Sequence, residues 1–276
     1  MVDNFFRNYK KLLLFFIVAS VIYWVGITFF NLSETFFTIF GFLLFLLPLA
    51  TAIYGFYVSK QWGGFKSHVG KSITFASISM LMWAMGQGIY LLYSIFSGEV
   101  PFPGPPDFFF IFLDPFYALA ILSIMQYSGA TNKMGKTSLS YLILMIIPLA
   151  SLYINFKVFF GEFSLDVFSD LNIFDLIYTF GSIILMALVS ITLIFSIGKL
   201  GGRMKVAVYL FFFGFIFQYI GDLLYSLLEA QPDTFPINGN QADFIFFVSI
   251  ACIALAFSRF NIDLLGKETT RAENNA

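Results

Sequence analysis

Asp107, Asp114, Asp222, Asp243, Gln87 and Gln218 sit within or at the mouths of long apolar runs, and their chemistry demands a reason. Gln218, Asp222, Tyr225 and Glu229 follow the spacing i, i+4, i+7, i+11, which places all of them along one side of a helix. Trp83, Gln87, Tyr90 and Ser94 repeat that spacing earlier in the chain. Asp107 and Asp114 lie seven residues apart, again on one helical face, and Asp243 opens the last apolar run. A charged group inside hydrocarbon costs about 2.5–3.5 kcal/mol on insertion scales, so such residues face a bundle interior or water. There they can bind a ligand, join helices by hydrogen bonds, or act as acid and base. Asp107 and Asp243 each begin a run, where an Asp caps free N–H groups and meets the positive helix end. Helix capping is therefore expected of these two. Gln87, Tyr90, Asp114, Gln218, Asp222 and Tyr225 form the expected ligand-binding set. Pro115 removes a backbone donor directly after Asp114, so a kink is expected there.

The elements that must position these residues follow from composition. Of 276 residues, 59% are hydrophobic and 11% charged, and 40 are Phe. Mean hydropathy is +0.86. Apolar runs long enough to cross a ~30 Å hydrocarbon core occur at roughly 11–31, 33–59, 72–96, 108–128, 138–156, 173–198, 206–230 and 242–262. The fold class is thus an all-α, polytopic membrane bundle of about eight transmembrane helices. It occupies 1–262 as a single transmembrane domain, and a polar cytoplasmic tail follows at 263–276. The first run is too long for a signal peptide and lacks a clear small-residue cleavage site.

Lysines and arginines test this count independently. Fourteen of the fifteen fall before the first run, after the last, or in alternate loops between; only Lys157 lies in the other set. By the positive-inside rule both termini are cytoplasmic, in a multi-pass protein of the cell membrane. At 1.5 Å per residue, Asp222 lies roughly 12 Å below the outer end of its helix, and Asp114 roughly 10 Å below Asp107. Both carboxyls are expected in the outer leaflet, in a polar pocket lined by the third, fourth, seventh and eighth helices.

The chain also repeats itself. Trp83, Gly86, Gln87, Tyr90, Pro101 and Gly104 fall on Gln218, Gly221, Asp222, Tyr225, Pro236 and Gly239 at a constant offset of 135. One further residue of slippage puts Asp107 on Asp243. Two four-helix repeats are expected, about 8–130 and 136–262. An even helix count per half makes them parallel, related by an axis along the membrane normal.

Several function classes fall away. One histidine and one cysteine cannot build the usual zinc or haem sites, so neither a metal nor any other cofactor is expected. A net charge of −1 and no basic patch beyond short loops argue against nucleic acid. The expected partners are the lipid bilayer and a cytoplasmic or membrane signalling protein.

Trp83, Gly86, Tyr90, then Gly98-Glu99-Val100-Pro101-Phe102-Pro103 and Asp107, carry a likeness. They resemble the W-x2-G-x3-Y … G-x-x-PFP-x3-D stretch in polytopic membrane domains N-terminal to some prokaryotic diguanylate cyclases and sensor histidine kinases. The resemblance implies a sensory membrane module. No catalytic output domain follows, so signalling through a separate partner is expected. Gly221-Asp222-Leu223-Leu224 is similar to the G-D-x-x-L helix motif of lysoplasmalogenase-like membrane hydrolases. That resemblance implies intramembrane acids from both halves, with Gln87 standing where the second acid would be. The leading expectation is a sensory, ligand-binding module that is not an enzyme. The alternative is an intramembrane lipid hydrolase in which Asp114 and Asp222 are the catalytic pair and share a proton. A small transporter ranks third, since the cytoplasmic halves of the third and seventh helices contain almost no polar residues.

Overall fold

A backbone in lipid must satisfy its own hydrogen bonds, and runs this apolar do so as helices. The structure, a computed structural model, describes residues 2–30, 32–129, 142, 146–154, 157, 173–196, 202–229 and 238–262. The helices are α1 (Val2–Phe29), α2 (Glu34–Gln61), α3 (His68–Phe96), α4 (Pro105–Phe110), α5 (Leu113–Tyr127), α6 (Ile173–Ser196), α7 (Gly202–Glu229) and α8 (Gln241–Phe260). Among the described residues there is no strand, and seven segments are long and apolar enough to cross a membrane, α4 and α5 together making one of them. The chain is a polytopic helical membrane protein. The fifth run, 138–156, lies largely outside the described residues, although 146–154 are helical. The tail at 263–276 lies outside them as well.

Local chemistry sets the ends that matter. α3 starts at His68, ahead of its apolar run, because the Ser67 hydroxyl accepts the Gly70 N–H at 2.9 Å. Gly63 and Gly64, with φ of 80° and 57°, turn the chain into that cap. The fourth run is broken rather than kinked. α4 ends at Phe110, Ile111 and Phe112 form a turn, and α5 restarts at Leu113. Pro115 then falls in the first turn of α5, where its missing N–H costs nothing. At the start of α8, the Asn240 side chain accepts the Asp243 N–H at 3.0 Å.

The helices close a ring. α2 packs on α3, α3 on α4 and α5, α5 on α6, α6 on α7, α7 on α8, and α8 returns to α2. α1 lies outside against α2 and α8. Its outer face shows Phe15, Ile22 and Phe29 at 75%, 67% and 80% exposure, a surface suited to acyl chains. Aromatic rings fill the interior. Trp83 stands between Phe110 and Phe246, with ring centres 5.9 and 5.0 Å away. Tyr117 meets Phe215 edge-on at 4.8 Å. Serines tie adjacent helices: Ser79 donates to the Leu113 carbonyl at 2.9 Å, and Ser249 to the Gly214 carbonyl at 2.7 Å. The Phe110 ring lies on Gly86 and the Phe246 ring on Gly221, so both glycines admit an aromatic side chain where a Cβ would collide.

Candidate functional site

The break between α4 and α5 places Asp114 in the first turn of α5, at the positive end of that helix. Asp222 lies within α7, and α6 runs beside both helices. Two consecutive α6 residues bring the carboxyls together. Gly181 lies against Asp114, whose Cβ and Cγ would stand 3.1 Å from any Cβ added at that glycine. Ser182 donates its hydroxyl to Asp222 Oδ2 at 3.2 Å. Gln218 Nε2 donates to Asp222 Oδ1 at 3.1 Å from one turn away. The two carboxyls interact electrostatically, and each is half-buried.

Tyr117 completes the cluster. It follows Asp114 by almost one turn of α5 and is fully buried. Its hydroxyl has no hydrogen-bond partner, although it lies within electrostatic reach of both Asp114 and Asp222. Among the described residues, no donor is seen on the Asp114 carboxyl either. A buried hydroxyl without a partner forfeits roughly 1–3 kcal/mol, so its retention beside two carboxyls calls for a reason.

Asp107 and Asp243 stand at helix starts. Asp107 accepts the Gly104 N–H at 2.8 Å and the Tyr178 hydroxyl at 3.0 Å. Tyr178 and Ser182 are one turn apart on α6, so one face of that helix serves both Asp107 and Asp222. Asp243 accepts the Gly239 N–H. On α3, Gln87 is buried and no hydrogen bond joins it to either carboxyl among the described residues. Tyr90 and Tyr225 are half-buried on α3 and α7.

Of the residues singled out by spacing, Asp114, Asp222 and Gln218 converge on one cluster. Tyr117, Tyr178, Gly181 and Ser182 are additional. The third, fourth, seventh and eighth helices were expected to line a pocket; α6 also takes part in the cluster, and Ser249 of α8 donates to Gln218 Oε1 at 3.5 Å. A signal for α6 existed: Tyr178 and Ser182 are polar residues at i, i+4 on one helical face, and the intervening Gly181 allows close approach.

No family model, curated protein or solved structure matches this chain. The reading therefore rests on the cluster itself. Its chemistry is acceptor-rich: two carboxyls and a free phenol oxygen. Such a set can receive a cationic or donor-bearing ligand, hold a proton between the carboxyls, or act as an acid–base pair.

Proposed function

We propose that the chain is a membrane sensory module that binds a ligand between α5, α6 and α7. The carrying observation is the convergence of Asp114, Asp222 and the unpartnered Tyr117 hydroxyl on the Gly181–Ser182 step of α6. Structural polar glue normally satisfies its own hydrogen bonds, and this cluster leaves acceptors open. In this reading the termini are cytoplasmic, as the basic residues argue, and the site opens towards the outer leaflet of the cell membrane. The bound state passes to a separate signalling partner through the cytoplasmic loops.

The two halves are read as parallel four-helix repeats. Support comes from two paired devices at the repeat offset. Gly86 receives Phe110 as Gly221 receives Phe246. Asp107 accepts the Gly104 N–H as Asp243 accepts the Gly239 N–H. The repeat then carries an asymmetry of function, because Gln87 of the first half corresponds to Asp222 of the second.

The test is native mass spectrometry of the chain extracted from the membranes that express it. A bound small molecule is expected on the wild type and lost from Asp114→Asn/Asp222→Asn. Identical spectra from folded wild type and variant would end the proposal. The second reading, a carboxylate-pair lipid hydrolase, is favoured by the electrostatic contact of Asp114 with Asp222. It requires the purified chain to cleave lysophospholipids, with activity lost in each single Asn variant.

A further inference from the structure

The Asp114–Asp222–Tyr117 cluster has acceptors in excess, and among the described residues no cation is bonded to it. α5 and α6 contain no Lys, Arg or His. α7 has Arg203 and Lys205 at its far end, and Asp222 follows Lys205 by 17 residues. At 1.5 Å per residue that separation is about 25 Å, beyond the reach of a lysine side chain. Among the described residues, the side-chain hydrogen bonds to Asp222 come from Gln218 and Ser182, and no basic side chain bonds either carboxyl.

The geometry also counts the acceptors. Asp222 spends one lone pair of each oxygen on Gln218 and Ser182, leaving the others free. Asp114 has no donor on its carboxyl among the described residues. The Tyr117 oxygen, fully buried, is unpartnered. An alkylammonium group carries three N–H donors. A metal ion is less well served. Among the described residues no group of three or more His, Cys, Asp or Glu is placed to hold one.

We infer that the ligand of this site is a primary ammonium group, received by Asp114, Asp222 and the Tyr117 hydroxyl. The inference rests on the binding-module reading above and names its ligand class. Two sources offer that chemistry: a free aliphatic amine and an amino-phospholipid headgroup.

The experiment uses the full chain in phosphatidylcholine nanodiscs and follows thermal unfolding. Propylammonium chloride is compared with 1-propanol, its neutral counterpart of equal size, at matched ionic strength. Propylammonium is expected to raise Tm by about 2–4 °C when near-saturating, and 1-propanol to leave it unchanged. Asp114→Asn/Asp222→Asn abolishes the response. Tyr117→Phe, which keeps the ring and its packing, weakens apparent affinity about tenfold. A second arm replaces part of the phosphatidylcholine with phosphatidylethanolamine. A Tm rise and lipid retention dependent on both Asp residues assign the headgroup as source; a response to propylammonium alone assigns the free amine. If 1-propanol stabilises in an Asp-dependent way and propylammonium does not, the ammonium ligand is overturned while a binding module survives. If neither probe nor lipid gives an Asp-dependent response, the ammonium ligand is overturned, and mass spectrometry then decides the broader reading separately. Should the double variant fail to fold, Tyr117→Phe decides alone: an unchanged propylammonium response overturns the assignment.

Discussion

Gly181 of α6 and Asp114 of α5 lie so close that the glycine has no room for a side chain. The next residue, Ser182, donates to Asp222 of α7. One peptide step on α6 therefore sets the approach of two carboxyls from different helices. Gly181→Ala is expected to push Asp114 away and destabilise the fold by about 1–3 kcal/mol, the usual range for overpacking. The effect belongs to the pair. In an Asp114→Ala background the same substitution is expected to cost at least 1 kcal/mol less. Thermal unfolding of the four proteins in a double-mutant cycle measures the coupling. Additive costs would show that Gly181 does not position Asp114.

The two glycine–phenylalanine contacts lead to a symmetric pair of expectations. Gly86→Ala meets the Phe110 ring and Gly221→Ala the Phe246 ring. Each is expected to lower stability by about 1–3 kcal/mol. Phe110→Leu should relieve the first substitution and leave the second untouched, and Phe246→Leu the reverse. Crossed or absent rescue, read as Tm, would mean that the two contacts are not equivalent devices.

Asp107 joins α6 to the start of α4 through the Tyr178 hydroxyl. Tyr178→Phe removes one donor and leaves the Gly104 N–H in place. A loss of about 1–2 kcal/mol is expected, in line with a hydrogen bond to a carboxylate. Asp107→Ala removes both contacts and is expected to cost more. Equal losses from the two variants would show that the Gly104 contact contributes nothing.

Topology can be read with single cysteines, because Cys252 is the sole native one and a Cys252→Ser background is free of thiols. Glu99→Cys is expected to react with a membrane-impermeant maleimide in intact cells. Lys66→Cys should react only after lysis. The opposite pattern would turn the bundle over and place the carboxyl cluster in the inner leaflet.

The helical membrane architecture was legible in the residues because lipid leaves a backbone few choices. Runs of twenty or more apolar residues fold as spanning helices whatever their neighbours do. Asp114, Gln218 and Asp222 were legible too, since a polar group in such a run announces itself by its cost. Tyr117 was not, because tyrosines are common in membrane helices and spacing shows only which residues share a face. Which helix that face meets depends on crossing angles and on where the chain breaks. The break at Ile111–Phe112 and the close approach at Gly181 are properties of packing among several helices. Only the tertiary structure therefore decided that α6 joins α5 and α7 at the cluster, because helix pairing is fixed by the fit of side chains across interfaces, which the order of residues along one helix does not contain.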